Sequence, residues 1–479
     1  MMQLEGYKTD QYKKWLEGNK SSFSLKKNDT PVKKPLVFTD RAKRLFATNL
    51  VINGIFIGLC ILGISNFLVP EPAYFFPGAF IILTLIFSML YYLQPFSMGI
   101  ANEIIKPVEN NINMGFYRSA QSKVKSMEKL NVIGITGSFG KTSTKFIIGT
   151  ILGEKFNVLN TPESYNTPMG LSKVINNQLN DEHEVFIAEM GARNIGDIRE
   201  VAQLAQPKIG VLTNIGPAHI ETFKNIDNIM KTKYELIEEL PTDGIAVFNY
   251  DNEYIKKLAD KTFKEKLLYG LEDVEKLDIY AEDIVVSELG STFVLKDKDE
   301  NSIQCTSKLL GKHNIYNILA GAAVAKTLGL TFEEIARGIE KIEPIPHRLN
   351  IINPGTGVII IDDAFNSNPI GSKAALEVLS QFKDGRKIIV TPGMVELGSM
   401  EESANKEFGN NIGKICDFVI LVGEKRTRPI YEGLMEVNYN KSNIFIVKNL
   451  DEATVQIGKV ARSKDVVLFE NDLPDNYNE

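Results

Sequence analysis

The stretch 131–145 combines the residue types that bind nucleotide phosphates. An apolar run at 132–135 predicts a buried strand, 136–140 is a glycine-rich turn, and the pattern becomes helical from Lys141. In such a strand–turn–helix unit, backbone N–H groups and the helix N-terminus surround phosphate oxygens. We expect Lys141 to reach the β- and γ-phosphates and Thr142 to give its hydroxyl to Mg²⁺.

The turn is a variant of the usual phosphate-binding loop. The strict pattern G-x-x-x-x-G-K-[ST] requires glycine at position 135, which is Ile135. The first glycine is instead Gly134 or Gly137, and an ordinary turn carrying Gly-Lys-Thr is the alternative interpretation. The predicted context favours the phosphate loop. The residues expected to contact nucleotide there are Gly137, Ser138, Gly140, Lys141, Thr142 and Ser143.

Two more side chains follow predicted strands. Glu189 ends an apolar strand at 185–189, and His219 follows the next strand, 209–213. Open α/β sheets bind ligands at the carboxyl ends of their strands, so both side chains are candidate Mg²⁺ ligands. Lys233 lies fourteen residues beyond His219, and its spacing alone favours an exposed helix lysine.

Composition limits the classes of function. A chain of 479 residues is long enough for about three domains. The net charge of −6 gives no support for nucleic-acid binding. The three cysteines, Cys60, Cys305 and Cys416, form no CxxC pair, which favours a reducing compartment and argues against structural zinc.

The N-terminal part predicts a membrane segment. Residues 1–44 form a polar arm, either a solvated tail or a basic arm on anionic lipid. The uncharged stretches 47–69 and 73–93 are each long enough to span a bilayer, so we expect a transmembrane helical hairpin at 45–93. Basic residues flank the pair and are missing from its turn, which predicts a multi-pass cell-membrane protein with its catalytic domains in the cytoplasm. The alternative is a buried hairpin in a soluble protein.

The remainder alternates strands and helices. Residues 94–130 predict an amphipathic connector, 131–345 a parallel-sheet ATP-binding domain, and 346–479 a second, Rossmann-like domain. Within the central domain, 278–306 predicts a small β insertion. The fold class is therefore α/β, preceded by the helical hairpin.

Nine short motifs in order resemble the Mur ligases, above all the branch that adds D-alanyl-D-alanine. They lie at 136–142, 165–170, 189–191, 214–219, 231–235, 311–317, 347–349, 362–369 and 396–398. The resemblance implies an ATP- and Mg²⁺-dependent ligase of peptidoglycan precursor synthesis in cell wall biogenesis. In this family a carboxylate attacks the γ-phosphate, and an amine then displaces phosphate from the acyl phosphate. The implied partners are a muramyl-peptide acceptor and an amino acid or dipeptide donor.

The resemblance also implies individual roles. Lys141 and Thr142 match the ATP-phosphate and Mg²⁺ positions, Glu189 and His219 match metal ligands, and Lys233 matches a lysine that is carbamylated in the family. The remaining matches are two adenine-contacting positions, Asn314 and Asn317, a phosphate-reaching arginine, Arg348, a closing carboxylate, Asp363, and the substrate-site residues Asn166, Thr167 and Asn366.

Two departures leave the acceptor and donor open. The apolar hairpin stands where the family has a domain for the nucleotide sugar, and Glu470-Asn471-Asp472 stands where it has Lys-Gly-Ser-Arg. One alternative is a related ligase that makes another peptide or acts on a lipid-linked precursor, with membrane lipid as a partner. The other is a membrane-anchored nucleotide-binding scaffold, against which the intact set of Lys141, Glu189, His219 and Lys233 argues.

Overall fold

The computed structural model describes residues 2–3, 6–18, 37–67, 72–162, 165–365 and 367–472. Contacts within these residues divide them into two compact units, one ending at Gly115 and the other beginning at Phe116.

The first unit is helical. Its elements are α1 (Thr9–Gly18), α2 (Asp40–Phe67) and the N-terminal part of α3 (Pro72–Ser126). Helices α2 and α3 run antiparallel, because partners further along α2 lie earlier along α3. Three polar pairs join these two helices: Arg44 with Glu109 at 2.6 Å, Asn49 with Ser97 at 2.9 Å, and Asn53 with Gln94 at 3.0 Å.

The prediction of a multi-pass membrane protein is wrong. Within the described residues, one helical segment, 40–63, is long and apolar enough to cross a membrane. The second apolar stretch is part of α3, a single helix of 55 residues. The same helix buries Asn102 and Glu109 and uses them in polar contacts. The uncharged stretch 73–93 is therefore part of a longer helix and is not a separate element.

The second unit begins with a nine-stranded sheet. Its strands are β1 (Asn131–Thr136), β2 (Val158–Asn160), β3 (Val185–Glu189), β4 (Ile209–Leu212), β5 (Ile245–Asn249), β6 (Lys266–Gly270), β7 (Ile279–Ser287), β8 (Gly290–Asp297) and β9 (Ser302–Ser307). The order is β2-β3-β1-β4-β5-β6-β7-β8-β9. Neighbours from β2 to β7 are parallel, whereas β8 pairs antiparallel with β7 and β9. The expected β insertion therefore extends the main sheet.

Helices cover both faces of this sheet, as its apolar strands require. One face packs against α4 (Lys141–Leu152), α10 (Lys312–Thr327) and α11 (Phe332–Glu340). The other face packs against α5 (Pro168–Asn177), α6 (Asp197–Ala205), α8 (Ile226–Glu238) and α9 (Glu253–Lys261). A short helix, α7 (Ile220–Phe223), follows β4. The predicted parallel sheet with two covered faces is confirmed.

A second sheet of six strands follows. Its strands are β10 (Asn350–Ile352), β11 (Ile359–Asp363), β12 (Lys387–Thr391), β13 (Phe418–Val422), β14 (Ile444–Val447) and β15 (Val466–Glu470), in the order β10-β11-β15-β12-β13-β14. Only β10 pairs antiparallel. On one face lie α12 (Pro369–Gln381), α13 (Glu401–Ile415) and α14 (Glu424–Glu436), and on the other lies α15 (Leu450–Val460). The predicted Rossmann-like α/β architecture is confirmed.

Candidate nucleotide and metal site

The glycine-rich turn joins β1 to α4, as predicted. A Cβ at Gly137 would lie 2.2 Å from Thr213 Oγ1, and one at Gly140 would lie 2.9 Å from Asn317 Oδ1. Gly140 has a φ of +78° and leaves the N-terminus of α4 without a side-chain cap. The first N–H groups of α4 therefore lack intrahelical partners and can receive phosphate oxygens.

Lys141 closes this loop. Its ammonium donates to the carbonyl oxygens of Gly137 at 2.8 Å and Ser138 at 3.3 Å. Burial lowers the pKa of Lys141, an effect that the Glu189 carboxylate opposes and the Arg348 cation reinforces. The lysine thus lies inside the loop, beside a carboxylate and a second cation.

Glu189 is the centre of a buried polar cluster at the end of β3. Its Oε2 accepts from the Thr142 hydroxyl at 3.0 Å and from the Lys145 ammonium at 3.3 Å, and its Oε1 accepts from Asn166 Nδ2 at 3.0 Å. The structure therefore brings together three predicted residues, Thr142, Asn166 and Glu189. A hydroxyl and a carboxylate beside a phosphate loop are oxygen ligands of the kind Mg²⁺ prefers.

Sequence reasoning missed Lys145. This lysine lies four residues after Lys141, which places it on the same face of α4, and its side chain is fully buried. A cation at this position offsets the charge of Glu189 from inside the protein. The signal in the sequence was the Lys-x-x-x-Lys spacing of a helix that packs on the sheet.

Lys233 is buried on α8 rather than exposed, as its spacing alone had suggested. Burial lowers its pKa to about 7, with help from the Lys141 charge and against the opposing charges of Asp197, Glu235 and Glu189. A large fraction of this amine is therefore neutral near neutral pH. A neutral amine is the form that reacts as a nucleophile.

His219 is placed differently from the Glu189 cluster. Its Nδ1 contacts Glu396 Oε2 at 2.7 Å, and Glu396 Oε1 lies 3.5 Å from the Arg193 guanidinium. The His219 hydrogen bond and the nearby charges hold the pKa of Glu396 below its usual value against the effect of burial. In the described part of the chain, no group of three histidine, cysteine, aspartate or glutamate side chains is arranged to hold a metal. Glu189 and His219 have different side-chain partners in this structure.

A cavity of about 310 Å³ adjoins the phosphate loop. Predicted residues that line it are Gly140, Ser143, Asn314, Asn317, Arg348 and Asp363. Asn317 connects the cavity wall to the loop helix, because its Oδ1 accepts from Thr144 Oγ1 at 3.1 Å and its Nδ2 donates to Asn314 Oδ1 at 3.0 Å.

The chemistry of the residues that line the cavity suits a nucleotide. Asn249 lines it and donates through Nδ2 to the Thr213 carbonyl, while its buried Oδ1 has no partner among the described residues. A buried acceptor of this kind needs a donor, which a nucleotide amino or hydroxyl group supplies. The buried Asn249 Oδ1, the glycine turn at 136–140 and the uncapped N-terminus of α4 all suit a nucleotide.

Arg348 and Asp363 form the side of the cavity that belongs to the second sheet. The Arg348 guanidinium stacks on Phe365 at 4.2 Å from the ring centre. Burial lowers the pKa of Arg348, while Asp363 and Glu189 oppose the change. Burial raises the pKa of Asp363 to about 6 despite Arg348 and a hydrogen bond from the Leu349 amide.

Of three other predicted site residues, two make hydrogen bonds within the fold and one lies outside the described residues. Ser138 donates to the Gly216 carbonyl at 3.0 Å, so its hydroxyl braces the loop. Thr167 caps α5 by accepting from the Gly170 amide at 3.2 Å. Asn366 lies outside the described residues.

The chain belongs to the Mur ligase family. The Mur ligase middle domain matches residues 135–325, and the Mur ligase glutamate ligase domain matches residues 347–470.

Two relatives in that family carry the same enzyme name. The chain is 30% identical over 341 residues to the UDP-N-acetylmuramoyl-tripeptide–D-alanyl-D-alanine ligase of Bacillus subtilis, covering 71% of this chain and 72% of that protein. It is 30% identical to the enzyme of the same name from Escherichia coli, covering 60% of this chain and 63% of that one. The crystal structure of Thermotoga maritima MurF ligase in complex with ADP superposes with a TM-score of 0.67 at 27% identity, covering 76% and 81% of the two chains.

Proposed function

We propose that this chain is an ATP-dependent, ADP-forming ligase that adds D-alanyl-D-alanine to a muramyl tripeptide. The observation that carries the proposal is the Glu189 carboxylate, 3.0 Å from the Thr142 hydroxyl at the mouth of the phosphate loop. The named relatives catalyse this addition, and a related structure contains ADP.

The residues of the loop and cavity have clear tasks in such a reaction. Gly137, Gly140 and the α4 N-terminus receive phosphate oxygens, and Lys141 offsets their charge. Asn314 and Asn317 form the wall against which the base lies. Thr142, Glu189 and His219 would hold Mg²⁺, which would neutralise charge between anionic oxygens.

Lys233 is proposed to act as a carbamate. Its lowered pKa provides the neutral amine. Its nitrogen would bond to the carbon of carbon dioxide as one C=O π bond opens, and loss of one N–H proton to solvent would leave a carbamate anion that can contribute to metal binding. The neighbouring Lys141 charge stabilises that anion. Asn166 orients Glu189 through its amide, while Arg348 and Asp363 bring charge from the second sheet to the same cavity.

We propose the domain boundaries 131–345 for the ATP-binding domain and 346–479 for the C-terminal domain. The two family matches, at 135–325 and 347–470, support them. The proposed N-terminal divisions are 1–44, 45–93 and 94–130, although α3 passes through residue 94 without interruption.

A separate proposal concerns lipid. Helix α2 exposes large apolar side chains, including Leu50, Val51, Ile55, Leu59 and Leu62, each more than half exposed. We propose that this helix contacts membrane lipid. Co-sedimentation with anionic vesicles tests the contact. The wild type should sediment with the vesicles and the Val51→Ser/Ile55→Ser/Leu59→Ser variant should not, whereas equal sedimentation of the two would contradict the proposal.

A donor and acceptor screen tests the enzymatic proposal. The full chain is supplied with ATP, Mg²⁺ and UDP-muramyl tripeptide, and ADP release is followed with D-alanyl-D-alanine or with single amino acids. We expect release that depends on the dipeptide and that is lost in Lys141→Met but kept in the exposed control Lys208→Met. Release with single amino acids only, or only with a lipid-linked acceptor, would point to the alternative ligases.

A further inference from the structure

Three loops meet at Glu396. His219 follows β4 and Arg193 follows β3 of the first sheet, whereas Glu396 follows β12 of the second. The backbones are also close, because a Cβ at Gly398 would lie 3.7 Å from the Glu221 amide nitrogen. The contact thus joins the carboxyl-terminal edges of the two sheets.

The backbone is unusual on both sides of this contact. His219 has a φ of +51° and Glu396 a φ of +65°, in the left-handed region that residues other than glycine seldom adopt. Such conformations persist where surrounding contacts hold them, and they are concentrated at functional sites. Here each side chain helps to hold the other.

The hydrogen bond also determines the chemistry of the imidazole. When Nδ1–H donates to a carboxylate, the neutral ring keeps its lone pair on Nε2, which is the form that binds a cation. The acceptor on Nδ1 also fixes the direction of the ring. The Glu396 side chain is only 16% exposed and its Oε2 lies 2.7 Å from His219 Nδ1, so it is the acceptor that this arrangement needs.

We propose that Glu396 is a positioning residue that orients His219 for divalent-cation binding, so that the first sheet's metal site is complete only when the second sheet is docked. Arg193 holds the other carboxylate oxygen and keeps Glu396 facing His219. The inference rests on the proposed function for the identity of the metal site. It adds a coupling between metal binding and the docking of the two sheets.

Direct binding of Mn²⁺ in the presence of ADP, followed by electron paramagnetic resonance, tests this coupling without turnover. Glu396→Ala should weaken Mn²⁺ binding by about 10- to 100-fold, the usual effect of losing a carboxylate behind a ligand histidine. Glu396→Gln should weaken it less, because its amide oxygen still accepts from Nδ1–H. The matched control Glu402→Ala, an exposed residue at the start of α13, should bind as the wild type does.

A double-mutant cycle separates positioning from general stability. In a His219→Ala background, Glu396→Ala should cause no further loss of Mn²⁺ affinity. An equal loss with and without His219, or wild-type affinity in Glu396→Ala, would overturn the inference. If Glu396→Ala fails to fold, the same cycle is run with Glu396→Gln, and an unchanged affinity there would overturn it as well.

Failure of the proposed function gives a different result. If the wild type ligates no amine to any muramyl peptide but Mn²⁺ binding still depends on Glu396 through His219, the positioning role stands and the reaction is another one. If ligation is confirmed but metal binding does not depend on Glu396, the positioning role falls alone.

Discussion

Two glutamates end central strands of the two sheets, and their surroundings differ. Glu189 ends β3 and is 1% exposed, and Glu470 ends β15 and is fully buried. Glu189 faces the Lys145 ammonium and the Thr142 hydroxyl. The Glu470 side chain accepts from the hydroxyl groups of Ser367 and Thr391, and burial raises its pKa to about 8.

The two buried strand-end carboxyls therefore have different electrostatic surroundings. A cation lies beside Glu189, whereas hydroxyl groups contact Glu470. Glu470 is a neutral acid at physiological pH, and it holds Ser367 against the wall of the nucleotide cavity. The acidic stretch at 470–472 is therefore no strongly charged patch, although its sequence suggests one.

The largest expected effect comes from replacing Lys145, the buried cation beside Glu189. Lys145→Met removes the buried cation that contacts the Glu189 carboxylate, which should cost about 3–5 kcal/mol of unfolding free energy in urea titrations. In the double variant Lys145→Met/Glu189→Gln, both charges are gone, so most of that loss should be recovered. A loss of unfolding free energy below about 1 kcal/mol in Lys145→Met would mean that the Lys145–Glu189 pair contributes little to the stability of the folded chain.

The second prediction concerns pH. The pKa of Glu470 is about 8 in the folded chain, against an ordinary value of 4.5, so its stabilising contribution is complete below pH 4.5 and is lost as pH rises through 8. Glu470→Gln, which cannot ionise, should be more stable than the wild type at pH 9, by about 2–4 kcal/mol. Its advantage should disappear near pH 5. If the unfolding free energies of the two proteins changed with pH in the same way, Glu470 would not be a neutral acid in the folded chain.

A third prediction concerns the loop, which lies beside Glu189 and has no counterpart beside Glu470. Gly137→Ala places a methyl group 2.2 Å from Thr213 Oγ1, so it should cost about 1–3 kcal/mol of stability and most nucleotide affinity. Gly458→Ala on α15 meets no atom within 4 Å and serves as the control. It should keep ADP affinity and gain a little stability. Equal ADP affinity in both variants, measured by calorimetry, would argue against nucleotide binding at the loop.

The smallest effect should come from Arg193, the exposed residue of the ion pair with Glu396. Arg193 is 58% exposed, so Arg193→Gln should change the unfolding free energy by at most about 1 kcal/mol. Added salt should reduce the difference between this variant and the wild type, because salt weakens an exposed ion pair. A loss of unfolding free energy as large as that of Lys145→Met would mean that an exposed ion pair contributes as much stability here as a buried one.

Much of the site was predictable because it depends on local order along the chain. A glycine turn between an apolar strand and a helix, followed by a polar residue at a strand end, indicates the loop and Glu189. The cavity residues Asn314, Asn317, Arg348 and Asp363 were assigned only by resemblance to the family. Lys145 and Glu396 were not identified as functional, because their roles depend on which groups face them after folding. The continuous helix α3 was missed because an uncharged stretch resembles a separate membrane span whether or not the helix continues beyond it.

The fate of ATP is the most direct test of the central claim, which is that the loop beside Glu189 activates a carboxylate by phosphoryl transfer. Products are quantified by phosphorus-31 nuclear magnetic resonance with UDP-muramyl tripeptide and D-alanyl-D-alanine present together. The account predicts ADP, phosphate and amide in equal amounts, with no ADP when the tripeptide is omitted. Formation of AMP and pyrophosphate, or amide without ATP consumption, would contradict it.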